Sequence, residues 1–188
     1  MPTTAFGGQS QQRWPADTLN KHNVMQDLVL TDLTGEPRLT ANARRAGLLA
    51  LAFFHTDCDT SRLLLPYLQK LADVYKDSKK LTVWGVSQDD EEKTRLFVNG
   101  LEMSLTVCLD RDAYHSMMLG VVTVPTVFLV NGAGEVLRKI VGWDRAGLNT
   151  VSEQIAAFAE QPSVPLVPDD DPVPARKFGC GSRRGYGA

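Results

Sequence analysis

The sequence predicts an α/β fold, in which a central mixed β-sheet is flanked by helices and extended at its N-terminal side by a β-hairpin. Residues 47–54 form an apolar run that is typical of a strand buried on both faces. Segments with the period of a strand alternate with segments with the period of a helix over residues 61–119. Strand-turn-strand patterns at 24–40 and 126–142 add antiparallel strands to this series.

The elements are predicted in the order β, β, β, α, β, α, β, α, β, β, α. The first helix, over 61–77, has Leu64, Leu68, Leu71 and Tyr75 on one face and Pro66 as a kink. The later strands are predicted at 81–87, 104–110, 126–130 and 136–142, and the later helices at 88–102, 113–119 and 144–158. Acidic residues in the first turn of the 88–102 helix suit the helix macrodipole.

One domain is predicted over residues 23–160, with a polar N-terminal arm over 1–22 and a Pro-rich, flexible C-terminal tail over 161–188. A chain of 188 residues is long enough for one sizeable core. Its 20 basic and 22 acidic residues are interspersed and give a formal net charge of -2. Because no basic stripe could neutralise a phosphate backbone, we expect no nucleic-acid partner.

The apolar segments are short. None approaches the ~20 residues of a membrane-spanning helix, and the first residues lack the order of a secretory signal. We therefore expect a cytoplasmic protein with no membrane partner. The three cysteines form no CxxC pair, which removes the common zinc spacings and the haem-attachment motif. We expect no metal and no cofactor, so that any chemistry rests on single thiols.

Cys58 lies where the apolar strand at 47–54 gives way to the first helix. At such a junction the unpaired backbone N–H groups of the first helical turn favour the thiolate, which is the reactive form of cysteine. Asp57 and Asp59 flank Cys58 and oppose its ionisation, and Arg62 one turn later could offset them.

Three segments, "LALAFFHTDCDTSRLLLPYLQKL", "LTVWGVSQDD" and "GVVTVPTVFLV", support a family resemblance. Over residues 24–160 the chain resembles the thioredoxin-like redoxins of the TlpA and AhpC/TSA type. In that family a strand leads into Cys-x-x-Cys at a helix N-terminus, a proline follows within the helix, and a cis proline precedes threonine and a strand. Cys58, Pro66 and the triplet Val124, Pro125 and Thr126 match these landmarks in order.

The resemblance implies a thioredoxin-like fold and an enzyme that exchanges thiols and disulfides, with Cys58 as the nucleophile. It also implies that Val124, Pro125 and Thr126 form the other wall of a substrate groove, because a cis proline leaves neighbouring backbone groups free to pair with an extended peptide. The expected partner is a disulfide-containing protein or a low-molecular-weight thiol such as glutathione.

The sequence departs from the family pattern at several positions. Ser61 stands at the resolving position of the Cys-x-x-Cys loop, so the usual internal disulfide cannot form there. The peroxiredoxin branch would place proline and threonine where this chain has Leu51 and His55. A thiol peroxidase with an antioxidant role is therefore disfavoured, although it stays an alternative.

Four explanations of Ser61 remain open at the level of sequence. The protein could act through a single cysteine and a mixed disulfide, it could use Cys180 as a resolving thiol, it could be a redox-inactive interaction module, or the serine could replace a natural cysteine. The tail from residue 161 to Cys180 could extend about 60 Å, so reach is no obstacle to a Cys58–Cys180 disulfide. Cys108 lies in an apolar strand pattern and is predicted to be a core residue.

Overall fold

The structure is a computed structural model that describes residues 23–45 and 47–183. The predicted arm at 1–22 and the last part of the tail, 184–188, lie outside the described residues. The strands are β1 (Val29–Asp32), β2 (Pro37–Leu39), β3 (Leu48–Phe54), β4 (Leu81–Ser87), β5 (Thr106–Leu109), β6 (Thr123–Val124), β7 (Thr126–Val130), β8 (Val136–Val141), β9 (Trp143–Asp144), β10 (Arg176–Lys177) and β11 (Cys180–Gly181). The helices are α1 (Thr40–Arg44), α2 (Asp59–Tyr75), α3 (Glu91–Gly100), α4 (Tyr114–Met118) and α5 (Arg145–Ala159).

A mixed sheet of seven of these strands, in the order β2-β1-β5-β4-β3-β7-β8, forms the centre of the described fold. Strands β3, β4 and β5 are parallel to one another, β7 pairs antiparallel with β3, and β8 pairs antiparallel with β7. The hairpin β1-β2 pairs antiparallel with β5 at one side of the sheet. The predicted α/β class, with its central mixed sheet and N-terminal hairpin, is confirmed.

Strand β3 connects the two halves of the hydrophobic core, because successive side chains of a strand point to opposite faces. All seven of its residues are buried, as its apolar run predicts. Leu48, Ala50, Ala52 and Phe54 pack with the apolar faces of α2, α3 and α5, whereas Leu49, Leu51 and Phe53 pack with Cys58, Val124 and Phe128 on the other face. This central strand ends four residues before Cys58 and so fixes where the cysteine lies.

Helix α2 begins directly after Cys58, whose backbone is still extended. Its buried residues include Leu64, Leu68, Leu71 and Tyr75, the face predicted from their spacing, and Pro66 lies within the helix. The Tyr75 hydroxyl donates to the backbone oxygen of Ser152 over 3.0 Å and so joins α2 to α5. Over the described part of the chain, no helix combines the length and the apolar character that crossing a bilayer requires.

The C-terminal segment 161–183 packs against the domain, which corrects the expectation of a flexible tail for these residues. Leu166 and Val167 are buried in the core cluster of α2 and α5. The side chain of Asn149 accepts from the backbone N–H of Val167 over 2.8 Å and donates to its carbonyl oxygen over 2.9 Å. The segment is ordered because it buries apolar side chains and finds partners for its backbone groups. The domain boundary at residue 160 stays a prediction.

Side chains of α2, β9 and α5 bind the next part of the tail, residues 168–174. Arg145 donates to the carbonyl oxygens of Pro168, Asp169 and Asp171 over 3.2, 3.0 and 2.7 Å, and also to that of Val173. Trp143 Nε1 donates to the Pro174 oxygen over 2.6 Å, and the Tyr67 hydroxyl donates to Asp171 over 2.7 Å. Strand β10 then pairs antiparallel with β9. These contacts lead the tail towards the start of α2, where Cys58 lies.

Candidate functional site

Cys58 forms a disulfide with Cys180. The two cysteines are 122 residues apart in the chain, and their Cα atoms lie 5.9 Å apart. Cys58 is the residue before α2, has an extended backbone and is 1 % exposed. The structure therefore brings together two thiols whose pairing was one of four open alternatives from the sequence.

The predicted groove residues lie beside this disulfide. The peptide bond between Val124 and Pro125 is cis. The carbonyl oxygen of Val124 lies 3.5 Å from the Cys58 Sγ, and the Val124 side chain packs in the same core cluster as Cys58. Thr126, which begins β7, donates through Oγ1 to the Thr123 oxygen over 2.7 Å. Of the three residues that the family resemblance implied for the groove wall, Val124 therefore contacts the candidate nucleophile directly.

The tail occupies this groove as an additional β-strand. Strand β11 pairs antiparallel with β6, with Cys180 opposite Val124 and Gly181 opposite Thr123. The backbone N–H of Ser182 donates to the Val122 oxygen over 3.0 Å. Cys180 therefore approaches Cys58 from an extended segment that uses the free backbone groups of β6.

Side chains at the ends of β3 and β4 and in the first turn of α2 hold the other side of the tail. Thr60 Oγ1 donates to the Phe178 oxygen over 2.7 Å. His55 Nε2 lies 3.1 Å from the Gly181 oxygen, and because a carbonyl only accepts, this nitrogen carries the proton in that contact. Gln88 donates to the Ser182 hydroxyl over 2.6 Å and accepts from the backbone N–H of Arg183 over 2.9 Å.

The guanidinium of Arg183 joins two carboxylates at the end of the described tail. Its Nε lies 2.5 Å from Asp89 Oδ1, and it also pairs with Asp57. The hydrogen bond from Arg183 is the main cause that lowers the pKa of Asp57, against the opposing effect of burial. Arg62, which the sequence offered as the counter-charge near Cys58, lies over the ring of Phe97 at 4.8 Å. Arg183, and not Arg62, is therefore the arginine that pairs with Asp57.

Ser61 is buried at the position of a second loop cysteine. Its side chain is 0 % exposed, and among the described residues its Oγ has no hydrogen-bond partner. A buried hydroxyl without a partner loses its interactions with water and gains none in return. The site thus carries a hydroxyl where the Cys-x-x-Cys loop would place a thiol. A thiol is less costly to bury than a hydroxyl without a partner.

Ser61→Ala is expected to raise the free energy of unfolding by about 1–2 kcal/mol, because it removes this unpaired hydroxyl. The matched control is Ser152→Ala, since Ser152 is also buried in a helix but donates to the Val164 oxygen over 2.9 Å. That variant is expected to lower the free energy of unfolding by a similar amount. Denaturant titration of both oxidised variants measures the two changes, and a loss of stability in Ser61→Ala would contradict the prediction.

Cys108 lies in β5 and is fully buried, so its prediction as a core residue is confirmed. Burial raises the pKa of its thiol to about 12, and the nearby charge of Asp32 acts in the same direction. A thiol that stays protonated at neutral pH is a poor nucleophile. Cys108 is therefore a suitable internal control for the reactivity of Cys58.

Thr60, Gln88, Asp89 and Arg183 are site residues that sequence reasoning did not find. The sequence explained the acidic residues at the start of α3 by the helix macrodipole. This explanation suits Asp90, which caps α3 by accepting from the Lys93 N–H over 2.9 Å. Asp89 instead accepts from the Thr56 N–H over 2.6 Å and faces the site. The sequence does carry a signal, since Gln88 and Asp89 directly follow β4, which is parallel to the strand that leads to Cys58. The carboxyl ends of adjacent parallel strands lie at one edge of a sheet.

The fold, the cysteine at the strand-to-helix junction and the cis proline beside it define a thioredoxin-like redoxin. The chain belongs to the AhpC/TSA family, whose family model matches residues 22–139. This match includes Cys58 and Pro125 and ends before the tail that carries Cys180.

Individual relatives agree with this class. The chain is similar to the thiol-disulfide oxidoreductase ResA of Bacillus thuringiensis subsp. konkukian, with 26% identity over 117 residues, which are 62% of this chain and 66% of that protein. A Chlorobium tepidum protein assigned as the thiol:disulfide interchange protein DsbE has a TM-score of 0.68 and 24% identity, covering 76% of this chain and 99% of its own. A thiol-disulfide oxidoreductase from Bacteroides fragilis has a TM-score of 0.63 and 22% identity, and the match covers 70% of this chain and 98% of that protein. At these identities the two structures support the fold.

Proposed function

We propose that the protein is a thiol-disulfide oxidoreductase in which Cys58 is the nucleophile and Cys180 is the resolving thiol. The observation that carries this proposal is the Cys58–Cys180 disulfide, which lies between the first turn of α2 and the cis Val124–Pro125 bond. Ser61 fills the usual resolving position without taking part in the exchange. The similarity to ResA and to the AhpC/TSA family supports the same activity.

The proposed cycle has two thiol-disulfide exchanges. The thiolate of Cys58 attacks one sulfur of a substrate disulfide, which forms a mixed disulfide and releases the other substrate sulfur as a thiolate. The thiolate of Cys180 then attacks the Cys58 sulfur, which releases the second substrate thiolate and forms the Cys58–Cys180 disulfide. The substrate gains two electrons and the protein loses them. An external thiol reductant restores the reduced pair by the same exchange, and the cycle can also run in the oxidising direction.

The proposed substrate is a disulfide-containing protein that presents an extended segment to the groove. The antiparallel pairing of the chain's own β11 with β6 supports this binding mode. Glutathione is a second proposed partner, because a small thiol could release the mixed disulfide on Cys58 when Cys180 is undocked. No observation at the site favours the peroxidase alternative, since Leu51 is a core residue and His55 contacts the tail.

Cys58→Ser is expected to abolish the reduction of a protein disulfide with dithiothreitol as electron donor, whereas Cys108→Ser should retain the wild-type rate. The reason is that Cys58 alone lies at the helix start, while burial keeps Cys108 protonated. Both variants lose one thiol, so the pair controls for total thiol content. Full activity in Cys58→Ser would contradict the proposal, and an inactive wild-type protein would favour the redox-inactive interaction module.

A further inference from the structure

The tail residues 178–183, which we call the docked segment, lie in the groove in the way a bound peptide would. Its cysteine is joined to Cys58, and its backbone pairs with β6 on one side and with Thr60 and Gln88 on the other. If the groove also takes the substrate, as the proposed function requires, the side-chain contacts of the docked segment identify which peptide sequences suit it.

Besides the disulfide, the docked segment makes two ion pairs through the residue three positions after its cysteine. Arg183 reaches Asp57 and Asp89, while its backbone N–H donates to Gln88 over 2.9 Å. We call these three residues, Asp57, Gln88 and Asp89, the acidic pocket. The Asp89 side chain is only 3% exposed, whereas that of Asp57 is 68% exposed. The Thr56 N–H holds the second oxygen of Asp89 over 2.6 Å, so this carboxylate is fixed in place.

A second restriction lies directly before the cysteine. A Cβ added at Gly179 would lie 2.3 Å from the Val124 oxygen and 2.6 Å from the Thr123 Cγ2. Directly after the cysteine the space is open, since a Cβ added at Gly181 would meet nothing within 4 Å. The Phe178 side chain is 91% exposed and therefore contributes little to recognition.

We propose that the acidic pocket selects substrate segments with a basic residue three positions after the reactive cysteine, and that the groove requires glycine directly before that cysteine. The tail and the substrate then compete for the same sites, so that one leaves as the other enters. A neutral or acidic residue at this position would leave the Asp89 carboxylate buried without a cationic partner, which disfavours binding. An arginine pairs with two carboxylates through its forked guanidinium and is favoured over lysine.

The test uses the full-length Cys180→Ser protein with reduced Cys58, so that no internal thiol competes. The substrates are blocked peptides of sequence Phe-Gly-Cys-Gly-Ser-Arg, joined by a mixed disulfide to a chromogenic nitrothiobenzoate thiol that leaves as the better thiolate. Matched peptides carry citrulline or glutamate in place of arginine, or alanine in place of the first glycine. Release of the chromophore measures the second-order rate of each peptide with Cys58.

We expect the arginine peptide to react at least about tenfold faster than the citrulline peptide, and the glutamate peptide to be the slowest. Asp89→Asn and Asp57→Asn should each reduce the preference for arginine over citrulline. Asp59→Asn is the control, because Asp59 also flanks Cys58 but makes no described contact with the tail. Because Asp57 is exposed, its variant tests the pocket even if Asp89→Asn fails to fold. The alanine peptide should be slower than its glycine parent.

Equal rates for the arginine, citrulline and glutamate peptides would overturn the inference and leave the proposed function intact. The inference would also be overturned if Asp59→Asn lowered the preference for arginine over citrulline as much as Asp57→Asn does. The preference would then come from the overall negative charge near Cys58 and not from the acidic pocket. The chromogenic symmetrical disulfide without peptide provides the separate check. If Cys58 fails to react with that small disulfide, the proposed function fails and the inference fails with it.

Discussion

Cys180→Ser is expected to stop the exchange cycle after its first half. The Cys58 thiolate can still attack a substrate disulfide, but the mixed disulfide then has no internal thiol to resolve it. The docked tail places Cys180 with its Cα only 5.9 Å from that of Cys58. Since positioned intramolecular groups act at effective concentrations far above those of free thiols, turnover is expected to fall by about 100-fold or more with external thiol limiting.

Intact-mass spectrometry during turnover distinguishes this block from simple inactivation. Cys180→Ser should accumulate a mixed disulfide between Cys58 and the substrate, whereas Cys58→Ser should accumulate none. Cys108→Ser is the control for loss of a thiol outside the site and should show neither effect. Wild-type turnover in Cys180→Ser, with no trapped species, would mean that Cys58 acts as a monothiol and that the structural disulfide is not part of the cycle.

The fold was predictable because its signals are local. The apolar run of β3 and the helical spacing of Leu64, Leu68 and Leu71 depend only on residues near one another in the chain. The position of Cys58 follows from these two elements, since it lies between them. The family landmarks added Pro125, which is 67 residues away in sequence yet belongs to the same site.

The docking of the tail was not predictable, because its stabilising groups are distant in sequence and its composition resembles a linker. Arg145 binds several backbone carbonyl oxygens of the tail, and carbonyl groups carry no sequence signal. Proline and aspartate in the tail suggested solvent exposure, although Leu166 and Val167 between them are buried. Arg183 reaches Asp57 and Asp89 only because the tail docks. The acidic pocket was therefore not predictable from the sequence either.

Gly179→Ala is expected to undock the tail and make the Cys58–Cys180 disulfide easier to reduce. An added Cβ would lie 2.3 Å from the Val124 oxygen and 3.0 Å from its carbonyl carbon, which are backbone atoms that cannot turn aside. Overpacking of this kind costs about 1–3 kcal/mol. For a two-electron couple, about 1.4 kcal/mol corresponds to 30 mV, so the midpoint potential should rise by about 20–60 mV.

Gly181→Ala is the matched control, because a Cβ at this position would meet nothing within 4 Å. Both glycines lie in the docked segment, on either side of Cys180, and both substitutions reduce the freedom of the unfolded chain alike. Redox titration in dithiothreitol buffers, read by mass spectrometry of the Cys58–Cys180 peptide pair, should show a raised midpoint for Gly179→Ala and a midpoint within about 10 mV of wild type for Gly181→Ala. Equal midpoints for the two variants would mean that contact between the tail and β6 does not stabilise the disulfide. A rise for Gly179→Ala alone would show that the fit of the tail in the groove sets how readily Cys180 leaves Cys58.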